Sequence, residues 1–391
     1  MNLLTIIIYT SLWSSIFFYG QSVIANVKAL GAFYSDSSIL NSKTTIPIKS
    51  KIIDNLPNSI STGIANLCSP ASYAYMLQHY LCQNSPSLRD LSCSDLPNDL
   101  KISLLGFMNW EIKNDSSLNS PYSYSKIPID NNKFLSATGK LSLKNAILTG
   151  FSFYTEDCFS TDQFLNTLTE KFQTNGISST EALSFFFLKL KTSYNTIQKK
   201  YLVEGKFCEE CFKNTSDSEL SELLNLLNLK NETITTDNLK TLLSLPLDQF
   251  LYNLLYGKRC KRKKFNANIP TLDYYPDYGN DEQSIETTNE LLNVIMHNMD
   301  QSKVTVLSNI CMQKNNNDCI DVHVVSITGY KIFEVNGKKI TYLQVKQNLG
   351  DEVSRYLNDG WVEADTLLSS VIKNGKKFKA GTLTSLNNSS T

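Results

Sequence analysis

Apolar positions along the chain change period several times, and each change predicts a different kind of element. From Ser69 to Gln83 the residues Tyr73, Met76, Leu77, Tyr80 and Leu81 recur at three- and four-residue intervals, which predicts a helix with one apolar face. Ser69 suits the N-cap and Pro70 the first turn, so this helix is expected to begin directly behind Cys68. The preceding stretch, residues 26–66, reads as an irregular lead-in rich in Ser, Asn and Ile. Residues 84–140 are polar and punctuated by Pro, Asn and Ser, predicting loops with short elements. From 141 to 260 the leucines and phenylalanines return at helical spacing, and Ser216-Asp217-Ser218-Glu219 ahead of Leu220, Leu223 and Leu224 has the form of a capping box.

The last third reads differently again. Pro270 to Gly279, with its tyrosines and aspartates, is expected to be a linker or surface loop. Thr287 to Met299 has helical spacing, whereas Lys303 to Ile310 and Val322 to Thr328 are strand-like. Lys331–Glu334 and Lys339–Val345 flank Asn336-Gly337, a turn pair that predicts a hairpin. Beyond Ala380 the text reads as a polar tail. The fold class expected from these elements is α+β, divided into residues 1–25, an N-terminal lobe at 26–140, an α-helical insertion at 141–265, a β-rich lobe at 266–380 and a tail at 381–391.

Composition removes some classes of function. At 41% hydrophobic and 19% charged residues the chain can bury a core, and Lys plus Arg equals Asp plus Glu at 37 each. With no net field, nothing recruits nucleic acid or an anionic membrane at long range. The basic run Lys258–Lys264 is read as a solvated loop, with a processing site or polyanion contact as the alternatives. Residues 1–25 contain an apolar stretch from Leu3 to Gly20 followed by Val23-Ile24-Ala25, the pattern of a cleaved secretory signal. No Lys or Arg precedes that stretch, so an uncleaved membrane anchor is the competing reading. After signal cleavage no membrane span is expected, and the protein is read as secreted or periplasmic.

The nine cysteines, at 68, 82, 93, 158, 208, 211, 260, 311 and 319, all follow the signal, and an odd number in an exported chain leaves one thiol over. Cys68 is the natural candidate. Cys82 with Cys93 and Cys311 with Cys319 are the expected short-range pairs, leaving 158, 208, 211 and 260 for the middle region. A zinc site using Cys208 and Cys211 is the alternative for those two, since their spacing suits thiolate ligation.

A cysteine behind a helix start sits where the macrodipole favours thiolate over thiol. Thiolate chemistry also needs a base and a group to orient it. Of the three histidines, His79 lies about three turns along the same predicted helix, His297 is on an amphipathic helix, and His323 opens a strand. The run His323-Val-Val-Ser-Ile-Thr-Gly329-Tyr330 resembles the histidine strand of papain-like cysteine peptidases. Thr62-Gly63-Ile64-Ala65-Asn66-Leu67-Cys68 is similar to that family's nucleophile segment, and Tyr342-Leu-Gln-Val-Lys-Gln-Asn-Leu-Gly350 with Gly360-Trp361 resembles its asparagine segment.

The resemblance implies a two-lobed papain-like fold, with a helical lobe carrying Cys68 and a β-rich lobe carrying His323. It implies an exported cysteine peptidase in which Cys68 is the nucleophile, His323 the base and then acid, and Asn348 the residue orienting the imidazole, with Gln347 as the alternative orienter. A peptide or protein is the implied substrate; neither cofactor nor metal is required. Thr62 stands where the family has a glutamine that donates to the oxyanion, and Ser69-Pro70 replace its tryptophan. The other readings are a catalytically inactive papain-like binding module with Cys68 in a disulfide, and a disulfide-stapled structural protein.

Overall fold

The computed structural model describes residues 30–33, 38–42, 44–58, 67–107, 131–158, 193–213, 235–244, 262–277, 285–315, 318–347 and 360–388, with isolated positions at 160, 220–221 and 224–225. The expected signal at 1–25, the capping box at 216–219 and most of the basic run at 258–264 lie outside them. Helices and strands are both well represented, as the α+β reading requires. The chain separates into two compact units.

The first unit runs from Asn55 to Thr271 and is largely helical where described. Its centre is α1, Cys68–Asn84, in which every residue from Cys68 to Cys82 is buried. The helix starts one residue earlier than the sequence suggests. Leu67 is the N-cap and makes no side-chain capping bond, so Ser69 lies inside the first turn rather than capping it. Pro70 fits there because the first N–H groups of a helix have no intrahelical acceptor, and the ladder begins with Ala71 N–H donating to Leu67 O at 3.0 Å.

Against α1 lies α2, Asn131–Leu148, a helix whose first half falls in the stretch read as loop and which crosses the expected boundary at 140. Gly139 abuts Ser69, while Phe151 just past the end of α2 meets Tyr80 at 6.2 Å between ring centres, so the two helices run side by side in the same direction. A polar helix of this kind is stabilised by packing rather than by its own pattern, which is why periodicity did not reveal it. It closes with a Schellman turn: Phe151 N–H donates to Ala146 O at 2.7 Å and Gly150 N–H to Ile147 O at 3.1 Å, with Gly150 at φ 66°. Cys82–Cys93 forms as expected. Lys263, in the basic run, pairs with Asp99 at 3.0 Å.

The second unit is built from the described residues up to Asp54, Leu272–Gln347, and those from 360 to Asn387. Here the lead-in differs from expectation: β1, Lys49–Ile52, is a strand of the β-rich unit. The other strands are β2 (Pro270–Tyr275), β3 (Thr305–Asn315), β4 (Asp318–Val335), β5 (Lys338–Lys346), β6 (Trp361–Glu363) and β7 (Leu383–Asn388). They form one seven-stranded sheet in the order β6-β5-β4-β3-β7-β2, with β1 paired to β4. The β4–β5 hairpin turns at Asn336-Gly337 with φ 52° and 76°, as that residue pair predicts.

Two sequence expectations fail in this sheet. Pro270–Tyr275 is an edge strand rather than a linker, and an edge is where a strand tolerates proline. The polar tail is β7, an inner strand whose Leu383, Thr384, Ser385 and Leu386 are all buried. Short hydroxyl side chains fill a tight inner position and β-branched Thr favours the pleat, so low hydropathy hid a core strand.

The helix α3, Thr288–Asp300, packs on the sheet through Leu291, Ile295 and Met299. Thr287 and Glu290 form its capping box, with Glu290 N–H donating to Thr287 Oγ1 at 3.2 Å and Thr287 N–H to a Glu290 carboxylate oxygen at 2.9 Å. At its other end Tyr330 donates to Asp300 at 2.6 Å and Lys49 pairs with the same carboxylate at 3.0 Å. Gly329 is required by β1: a Cβ there would lie 2.9 Å from Lys51 O. The Cys311–Cys319 disulfide ties β3 to β4 as expected.

Candidate functional site

Cys68 is the first residue of α1, which places its sulfur at the positive end of a helix dipole. It is buried and is the cysteine that stands outside the disulfides among the described residues. The reading of Cys68 as a half-cystine is therefore dropped. Cys82, Cys93, Cys208, Cys211, Cys311 and Cys319 pair with one another, and Cys158 is also disulfide-bonded. The Cys208–Cys211 bond consumes the two thiolates that the zinc alternative needs. Among the described residues no cluster of His, Cys, Asp and Glu is arranged to hold a metal ion.

The α1–α2 contact falls on Ser69, the residue after Cys68. Gly139 lets the backbone of α2 come so close to Ser69 that a Cβ would lie 2.5 Å from its Oγ and 2.7 Å from its carbonyl oxygen. The next residue, Lys140, is half-buried, and loss of solvent pulls its ammonium down to about 8 from the usual lysine range. Neither residue gave a signal in the sequence, because a glycine and a lysine in a polar run look like loop. Thr62, which stands at the family's oxyanion-donor position, lies outside the described residues.

His323 sits on β4 in the β-rich unit and is 4% exposed. Its backbone pairs with Ile310, next to an irregularity in β3 where the register slips between Leu307 and Ile310. Asn309 takes φ 63° there, the left-handed conformation that asparagine tolerates better than most residues, and such bulges re-aim neighbouring side chains. Phe33, from the short helical turn Leu30–Phe33, meets the imidazole edge-on, with ring centres 5.8 Å apart. The lead-in thus supplies one wall of the histidine's pocket.

Nε2 of His323 lies 2.9 Å from the backbone carbonyl oxygen of Gln347. A carbonyl only accepts, so Nε2 carries the ring proton and Nδ1 keeps its lone pair. Burial lowers the imidazole from the ordinary 6.5 to about 4, opposed by the hydrogen bond to Gln347, so the ring is neutral at neutral pH. Gln347 is itself buried at 5% exposure. The group hydrogen-bonded to the imidazole is thus the main chain of Gln347; Asn348 lies outside the described residues. No side-chain pattern could announce a backbone carbonyl in this role.

The other two histidines are occupied locally. His79 is buried in α1 with Nε2 3.1 Å from Gln83 Nε2, and His297 is 2.9 Å from Gln301 Nε2 near the end of α3. Gly360 and Trp361, which were part of the family resemblance, have packing roles: a Cβ on Gly360 would meet Val345 O at 2.7 Å, and Trp361 closes an apolar cluster with Phe333 and Tyr342. Of the expected site residues, then, Cys68 is carried by the helical unit and His323 with Gln347 by the β-rich unit. No protein-family model matches the chain, and no curated protein or solved structure matches it either.

Proposed function

We propose that the protein is an exported cysteine peptidase of papain-like type, in which Cys68 is the nucleophile and His323 the general base. The observation that carries this reading is the bond from His323 Nε2–H to Gln347 O, which leaves Nδ1 as a fixed basic nitrogen. The helix head supports Cys68 in the partner role, since it favours the negative charge a nucleophilic sulfur must develop. The disulfides Cys82–Cys93, Cys208–Cys211 and Cys311–Cys319 fit folding in an oxidising compartment, and residues 1–25 are the export signal in this reading.

The chemistry runs in two halves. His323 Nδ1 takes the Cys68 thiol proton as the sulfur attacks the carbonyl carbon of a peptide bond, and Gln347 O holds the imidazolium that results. That proton passes to the leaving amine as the C–N bond breaks, giving a thioester on Cys68. Water then adds to the thioester with its proton taken by Nδ1, and the sulfur leaves with the proton returned to it.

The low exposure of both groups, 8% for Cys68 and 4% for His323, favours a second reading, a papain-like binding module without activity. One experiment separates the two. An epoxide-type cysteine peptidase inhibitor modifies Cys68 in the native wild-type protein and much more slowly in His323→Ala, while both label equally once denatured. Equal native labelling of the two proteins would sink the peptidase reading, and resistance of both would favour the binding module.

A further inference from the structure

Three buried polar side chains and one half-buried one stand on α3 and on the paired strands β3 and β7. Thr305 and Ser385 are 0% exposed and Asn298 is 2% exposed. Thr305 Oγ1, Ser385 Oγ, Asn298 Nδ2 and Asn387 Oδ1 are each buried without a hydrogen-bond partner. An unpaired buried polar atom costs on the order of 1–3 kcal/mol, so several in one place call for a ligand.

Register puts them on one face. Thr305 of β3 stands opposite Ser385 of β7, and Asn387 follows two residues later on the same side of that strand. Thr305 also stands opposite Ile327 of β4. The pairing of β4 with β5 slips between Ile327 and Gly329, which brings Tyr330 to the face that Ile327 occupies. Tyr330 reaches Asp300 of α3 from that face, so it is the side that α3 covers. Asn298 is buried on α3, and its carbonyl accepts from Lys303 N–H at 2.9 Å where the chain enters β3.

The chemistry of the set selects its ligand. Asn298 Nδ2 can only donate, Asn387 Oδ1 can only accept, and the two hydroxyls do either. A cation would be repelled by the amide N–H, and an anion by the amide oxygen. Water satisfies all four. We propose that Asn298, Thr305, Ser385 and Asn387 form a built-in hydration site between α3 and the β3–β7 pair, holding at least one ordered water that joins the C-terminal strand to the helix. This site explains why β7 can be polar and still lie inside the sheet.

Crystallography of the intact protein at a resolution that shows ordered solvent tests this directly. The expected result is a water within about 3.2 Å of Asn298 Nδ2 and of at least one of Thr305 Oγ1 and Ser385 Oγ. Density in which the four side chains bond directly to one another, or with no water between them, would overturn the proposal. In solution, oxygen-17 relaxation dispersion counts long-lived internal waters. The Thr305→Val, Ser385→Ala double variant loses at least one relative to wild type, and an unchanged count in a folded double variant also overturns it. Should the double variant not fold, the wild-type crystal structure decides alone.

Discussion

Replacing Gly139 by alanine sets two well-understood effects against each other beside Cys68. In an ordinary helix interior the change stabilises by about 1 kcal/mol, because alanine loses less backbone entropy than glycine. Here the new Cβ would lie 2.5 Å from Ser69 Oγ, 2.6 Å from Ser69 C and 2.7 Å from Ser69 O, where contacts under 3.0 Å force something to move. The hydroxyl can rotate away. The carbonyl belongs to the first turn of α1, so relief requires α2 to retreat from α1. Overpacking typically costs about 1–3 kcal/mol, and a backbone obstacle places this case at the upper end. The net expectation is a loss of about 2 kcal/mol. With a urea dependence of roughly 1–3 kcal/mol per molar, the unfolding midpoint of the helical unit falls by about 1 M. The same loss raises local opening about 30-fold, so Cys68 in the native protein reacts with iodoacetamide correspondingly faster. An unchanged or higher midpoint, with no gain in alkylation rate, would show that helix propensity wins and that the α1–α2 contact is looser than described.

Three further outcomes are expected. His323 is neutral above about 4 when folded and above 6.5 when unfolded, so the unfolded chain binds the extra proton between those values, and folding loses about 3 kcal/mol as pH falls from 6.5 to 4. His323→Gln removes that component, and urea midpoints at both ends of the window should then differ less than in wild type; an identical difference refutes the buried neutral imidazole. Thr287→Ala removes the side-chain half of the α3 capping box and costs about 1 kcal/mol by chemical denaturation, whereas a neutral result would mean the cap is not formed in solution. Tyr330→Phe deletes the 2.6 Å bond to the Asp300 carboxylate and costs about 1–2 kcal/mol, and it raises the Asp300 titration midpoint in carboxylate NMR; an unmoved Asp300 contradicts the bond.

A large part of this protein was written into local sequence. The spacing of Tyr73, Met76, Leu77, Tyr80 and Leu81 announced α1, Asn336-Gly337 announced the β4–β5 turn, and the short-range pairs Cys82–Cys93 and Cys311–Cys319 followed from an oxidising context. Those features are legible because each depends on residues close together along the chain. Cys68 stood out for the same reason, as a cysteine at a helix start.

What tertiary structure alone decided are the contacts between segments far apart in the chain. Gly139 and β7 look like loop and tail until Ser69 and β3 are placed against them, because burial and not composition made them helix and core strand. The lead-in gave no hint that Phe33 would line the imidazole of His323 or that β1 would demand a glycine at position 329. The hydrogen-bond partner of His323 Nε2 is the Gln347 carbonyl, a group every residue carries, which only the path of the main chain brings to the imidazole.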